Sequence, residues 1–198
     1  IQNSQFTIHN FFLPMPTLTL PLTDADLLPL RAGDSLRISG VVYTARDAAH
    51  KRLVELIERG EPLPVDLAGQ AIYYVGPAPA KAGRAIGPAG PTTSGRMDSY
   101  TVPLLRRGVK LLIGKGYRSE EVKAALVEHR AVYAAAVGGA AALLARHIHS
   151  SRVVAWPELG TEAIHELTVE GFPAIVINDC HGGDAYADGR AAWEERGE

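Results

Sequence analysis

The chain has 198 residues, with 20 Lys+Arg against 22 Asp+Glu, a formal net charge of −2 and 46% hydrophobic residues. This length fits one domain able to bury a sizeable core. The near-neutral balance excludes a sequence-independent nucleic-acid binder, which needs a basic surface to neutralise phosphates, and a single cysteine excludes a disulfide framework, a cysteine-built zinc site and a cluster held by this chain alone.

The first segment, residues 1–29, mixes aromatics with Pro14, Pro16, Pro21 and Pro29 and reads as an extended arm packed on something else, such as another subunit. It carries neither Lys nor Arg before Arg31 and no small-residue cleavage site, so a secretory signal is not expected. A start at Ile1 suggests a processed or trimmed product. No apolar run approaches the roughly 18–20 residues of a membrane span, and the expectation is a soluble protein of the cytoplasm.

From Arg31 a regular rhythm begins. Ser35–Thr44 is β-branched and half alternating, which suits a strand pair kinked at Gly40. Asp47–Arg59 places Ala49, Leu53, Leu56 and Ile57 at helical spacing and is stopped by Gly60 and Pro62. Ala71–Val75 is a short apolar strand that runs into a Gly- and Pro-rich loop, Gly76 to Gly95, followed by a helical stretch near Thr101–Arg107. Val109–Ile113 is the next strand, and Ser119 caps a helix with Glu120 and Glu121 in its first turn, ending near Arg130. Ala131–Val137 reads as a buried small-residue strand and Gly139–His147 as an Ala-rich helix. Val153–Ala155 and Ala174–Ile177 complete the strands. The alternation indicates a single α/β layered domain over residues 1–198 with a mostly buried sheet.

The loop Gly87–Asp98 carries the most chemistry. Its three glycines and two prolines fix the backbone, and Thr92, Thr93, Ser94 and Arg96 follow at the mouth of a helix. Hydroxyls and backbone N–H groups there form an anion cradle, to which Arg96 adds a bidentate grip on a carboxylate. The same residues would equally serve as a rigid turn whose hydroxyls cap the next helix, with Arg96 solvated. Arg46 and Lys115 also follow strands. Ligands of α/β sheets gather at the carboxyl ends of strands, so three cations there suggest a substrate with more than one negative charge. His50 lies on or beside the buried face of its helix and reads as structural. His147 and His149 lack partners for a metal site, and Cys180-His181 lacks a third group to orient it, so that pair reads as a turn.

Several runs together resemble the β part of class I fumarate hydratases: Tyr43-Thr44-Ala45-Arg46-Asp47-Ala48-Ala49-His50-Lys51-Arg52, Gly90-Pro91-Thr92-Thr93-Ser94-Gly95-Arg96-Met97-Asp98, Ile113-Gly114-Lys115-Gly116, Gly138–Leu143 and Trp156–Gly160 with Glu162–Ile164. The likeness runs in order from about Leu30 to Asp179. The related tartrate dehydratase β subunits usually carry cysteines in the first run and Met-Arg-Met-Glu after Thr-Thr-Ser. Ala45, Ala49, Gly95 and Asp98 stand in those places here, which favours the fumarase side.

The resemblance implies a swivelling β/β/α module and an α subunit that carries a 4Fe–4S cluster, with no metal ligand in this chain. It implies a hetero-oligomer or a dimer of heterodimers, with neither nucleic acid nor membrane as partner. The implied reaction is reversible hydration of fumarate to (S)-malate, active only with the α subunit. Thr92 would exchange the C3 proton, while Arg46, Arg96 and Lys115 would hold the two carboxylates. His50, Thr93 and Asp98 would stand behind them, with Asp98 orienting Arg96 and His50 bonding a loop carbonyl. A tartrate or mesaconate-type dehydratase subunit and a non-catalytic dicarboxylate-binding module are the alternatives.

Overall fold

A computed structural model describes residues 15–194. The β-branched run Ser35–Thr44 forms one strand, β2, rather than a pair. Gly40, at φ 107°, takes up a register shift against the antiparallel partner. A Cβ there would also come within 3.1 Å of Leu20, so the bulge needs glycine both for its backbone angle and for close packing.

The part of the N-terminal arm from residue 1 to 14 lies outside the described residues. The remainder contains strand β1 (Thr17–Thr19) and helix α1 (Asp24–Leu27). Thr23 and Asp26 form a capping box at the start of α1, with the Asp26 carboxylate accepting from Thr23 N at 2.7 Å. Leu18, Leu20, Leu22, Leu27 and Leu30 are buried in this chain's own core. The leucines outweigh the prolines that made the segment look extended.

The α/β portion follows its periodicity closely: α2 (Asp47–Glu58), β3 (Ala71–Tyr73), α3 (Asp98–Arg106), β4 (Leu111–Gly114), α4 (Glu120–Glu128) and β5 (Val132–Ala135). Ser119 caps α4, its hydroxyl accepting from Val122 N at 3.3 Å. The Ala-rich segment is shorter than its composition suggests, with α5 (Ala141–Leu144) running into a 3₁₀ turn at Ala145–His147. The last strands are longer than expected: β6 (Ile148–Ala155) and β7 (Ile164–Asn178), the latter carried through Gly171 and Pro173. Helix α6 (Ala185–Glu194) follows. No helix among the described residues is long and apolar enough to cross a membrane.

The seven strands run β1-β2-β3-β4-β5-β7-β6, and β7 also pairs with β2. Strands β2 to β5 are parallel, whereas β7 is antiparallel to both β5 and β2. The sheet therefore closes into a barrel-like ring instead of lying as an open layer, with β1 and β6 as flanking strands. Alternation assigns each strand two faces. Ile38, Val42, Tyr73, Leu111, Ile113, Val132 and Val176 belong to one apolar cluster within the ring. Ile72, Tyr74, Leu112, Tyr133 and Ile177 belong to a second, which α2, α3 and α4 cover with Leu53, Leu104 and Val122.

His50 lies in that second cluster, fully buried, its ring edge-on to Tyr74 at 5.2 Å. Its Nδ1 donates to the Arg46 carbonyl at 2.9 Å, and Nε2 is left without a partner. Burial pushes its pKa down to about 4. In the unfolded chain the same imidazole titrates near ~6.5. Its contribution to stability is therefore complete above about pH 6.5 and is lost as pH falls toward about 4, at no more than ~1.4 kcal/mol per pH unit.

Two predictions follow from this packing. Ile38→Ala opens a cavity within the ring and should lower the unfolding free energy measured by urea titration by about 2–5 kcal/mol; a change within experimental error would contradict the assigned core. Between pH 7 and pH 5, denaturant titrations of His50→Asn should lose less stability than those of the parent chain, and equal pH slopes would contradict the buried neutral imidazole.

Candidate active site

Thr44, Tyr73, Ile113 and Ala134 are register partners across the four parallel strands. The segments that leave these residues emerge at one edge of the ring, where α/β sheets gather ligands. Arg46 leaves β2, the Gly76–Gly95 loop leaves β3, Lys115 leaves β4 and Gly138 follows β5.

The long loop returns to this edge and is stitched to it by backbone hydrogen bonds. Thr92 N donates to Tyr74 O at 2.6 Å, Lys115 N donates to Thr92 O at 3.2 Å, and Ser94 N donates to Lys115 O at 2.8 Å. Thr93 and Lys115 thereby form an isolated parallel bridge. Ser94 is buried, its hydroxyl 2.9 Å from Tyr133 OH. Tyr133 OH donates onward to Gly116 O at 2.8 Å, so Ser94 is the donor to Tyr133. A Cβ at Gly114 would overlap the Ser94 hydroxyl, which explains glycine beside the lysine. This packing leaves Thr92 half-buried and Thr93 exposed. The hydroxyls do not cap a helix: neither Thr93, at the head of the 3₁₀ turn Ser94–Met97, nor Met97, at the head of α3, makes a side-chain cap.

Two of the three cations are held at the N-terminus of α2. Arg46 is its N-cap residue, and its Nη2 lies 3.4 Å from Glu162 Oε1. The other Glu162 oxygen accepts from Ala48 N at 2.8 Å. The Nε of Arg46 is buried without a partner. Arg96 forms a fork with Asp47, Nε to Oδ1 at 3.1 Å and Nη2 to Oδ2 at 2.6 Å. Lys115 is exposed and makes no ion pair among the described residues. The loop bearing Thr92 and Arg96 is thus tied to Lys115 through backbone and to the helix bearing Arg46 through Asp47.

Asp98 does not orient Arg96. Its carboxylate accepts from Arg118 Nε and from Ser119 N, each at 2.7 Å, because it opens α3 on the side facing the β4–α4 connection. Asp47 takes the expected role. Nothing local in the sequence marks Arg118, which reads there as an ordinary cation in Gly-Lys-Gly-Tyr-Arg-Ser, yet its side chain is fully buried behind the loop. Burial opposes its charge, and Tyr74 and Asp98 outweigh that, raising its pKa above the usual arginine value.

Elsewhere, His147 lies 3.0 Å from the Glu170 carbonyl and His149 3.3 Å from the Glu170 carboxylate. The Cys180-His181 turn packs on α1, with His181 Nε2 2.9 Å from Leu28 O. Among the described residues no three His, Cys, Asp or Glu side chains stand close enough to hold a metal ion. A cleft of about 350 Å³ lies beside the Arg46 end of the site, lined by Pro77, Ala78, Ile86, Val153, Thr161 and His165.

Residues 15–189 match the Fumarase C-terminus family. The chain is 44% identical over 154 residues to the anaerobic class I fumarate hydratase of Escherichia coli (strain K12), a match covering 76% of this chain and 28% of that protein. It is 42% identical over 158 residues to fumarate hydratase 2 of Leishmania major, covering 78% of this chain and again 28% of the relative. The L(+)-tartrate dehydratase subunit beta of Escherichia coli (strain K12) is 35% identical over 184 residues, 90% of each chain. The chain thus spans about a quarter to a third of the fumarate hydratases it matches and nearly the whole of the tartrate dehydratase subunit. The chain belongs to the Fumarase C-terminus family.

Proposed function

We propose that this chain is the β subunit of an iron–sulfur hydro-lyase that interconverts fumarate and (S)-malate, working with an α subunit as a swivelling module of that assembly. The observation that carries this reading is the attachment of the Thr92–Arg96 loop to Lys115 by backbone and to the Arg46 helix by the Arg96–Asp47 fork. Three cations on segments that share one edge with Thr92 suit a small dianion with two carboxylates. The single cysteine of the chain is too few for a cluster held by thiolates, and we assign the 4Fe–4S group to the α subunit, together with the hydroxyl side of the reaction.

On this chain's side, Arg46, Arg96 and Lys115 grip the carboxylates. Asp47 and Glu162 hold the two arginines in place before substrate arrives, which limits the reorganisation needed on binding. We assign the exchange of the C3 proton to Thr92 Oγ1. A neutral threonine hydroxyl is a weak base, so the surrounding cations are required to favour its deprotonated form. When the C3 proton of malate leaves, its electron pair delocalises into the adjacent carboxylate, and the same cations stabilise the added charge.

Identity to fumarate hydratases supports fumarate as substrate. The end-to-end match to a tartrate dehydratase β subunit supports the second reading, a tartrate or mesaconate-type dehydratase using the same groups. Turnover of fumarate, mesaconate and tartrate by the chain assembled anaerobically with its α subunit decides between them. In that assembly Thr92→Val should lower kcat by roughly 10²–10⁴-fold. Arg96→Ala or Lys115→Ala should cost roughly 10²–10³-fold. Near-parental turnover in any of the three removes that residue from the chemistry. Retained malate binding without turnover of any substrate would favour a binding module instead.

A further inference from the structure

Arg118 has no place in the reaction as derived, yet it touches α3, Tyr74 just past β3 and Tyr133 on β5. Its Nε donates to Asp98 Oδ1 at 2.7 Å and its Nη2 to Thr101 Oγ1 at 2.7 Å, both on α3. Its Nη1 lies 3.3 Å from Tyr74 OH, and the guanidinium stacks over the rings of Tyr74 and Tyr133 at 5.4 and 5.0 Å. Tyr74 supplies the carbonyl that holds Thr92 N, and Tyr133 supplies the hydroxyl that receives Ser94 and bonds Gly116 O. A side chain that is 0% exposed therefore joins β3, β5, the turn after Lys115 and the helix after Arg96. A planar fork with fixed donor directions can hold these four elements in one register, whereas a flexible ammonium with three rotatable donors cannot.

We propose that Arg118 is a positioning residue that fixes the Thr92–Arg96 loop against Lys115, so that the Thr92 hydroxyl and the carboxylate-binding cations keep their catalytic spacing. This inference rests on the dicarboxylate hydro-lyase reading. Because the Arg96–Asp47 fork still ties the end of the loop to the helix that carries Arg46, loosening the loop disturbs proton transfer at Thr92 more than carboxylate binding.

The test uses the chain assembled anaerobically with its α subunit, comparing the parent with Arg118→Gln and Arg118→Lys. The expected result is a kcat lower by roughly 10²-fold, with KM changed by less than about threefold. Arg118→Lys, which keeps the charge and loses the fork, should recover less than about a tenth of the parental rate. A kcat within about twofold of the parent, full rescue by lysine, or a loss seen only as raised KM would overturn the inference. Absence of turnover in the parent assembly refutes the hydro-lyase reading itself, so the two failures are separable. Should the Arg118 variants fail to fold, Thr101→Val removes one of the fork's acceptors at similar volume. Several-fold lower kcat at unchanged KM is then expected in the folded variant, with a lower melting temperature from the buried donor left unpaired, and an unchanged kcat overturns the proposal.

Discussion

Strand β2 is hydrogen-bonded along both edges. One edge runs antiparallel to β7 from Ser35 to Tyr43, and the other runs parallel first to β1 and then to β3. That double pairing closes the ring, and most of the fold follows from it. With β2, β3, β4 and β5 parallel and in register, their carboxyl ends share one edge, and every segment leaving that edge is forced into proximity. The closed ring also leaves none of its strands with an unpaired edge, a liability that open sheets must cover by other means. The bulge at Gly40 is the accommodation that lets one strand serve both partners while Leu20 packs against it.

The site at that edge is organised from behind. Ser94, Tyr133, Tyr74 and Arg118 form a buried polar layer between the ring and the helices, and each of the four side chains has a hydrogen-bond partner. Such a layer is costly if any member is unsatisfied, which makes its geometry narrow. In front of it, Arg46 and Arg96 are held by carboxylates at the start of α2, while Lys115 is exposed. On the proposed reading, an incoming dianion meets cations already oriented by carboxylates, Arg96 in a bidentate fork with Asp47 and Arg46 beside Glu162. Their ion pairs are half-exposed and contribute little to folding; their value lies in orientation.

Periodicity made the central α/β elements legible, because apolar spacing, Gly60 and the Ser119 cap are local signals. The terminal elements were not. In the arm, prolines masked leucines whose burial depends on the ring being closed. In β7, Gly171 and Pro173 interrupt a strand that is held by pairing with β2 on one side and β6 on the other. Strand order and closure are tertiary facts that no local pattern contains. The cations and Thr92 were legible as groups following strands, and the structure brings their segments to one edge. The partners of those groups were not, since Asp98 is close to Arg96 in the chain while Asp47 is 49 residues away and only folding brings it to Arg96. Arg118 was invisible because its importance lies in burial.

The most direct test is a crystal structure of this chain assembled with its α subunit and soaked with (S)-malate under anaerobic conditions. The account requires both substrate carboxylates within hydrogen-bonding distance of Arg46, Arg96 and Lys115, with Thr92 Oγ1 facing the C3 methylene. Malate bound with these cations out of contact, or with Thr92 turned away from C3, would contradict it.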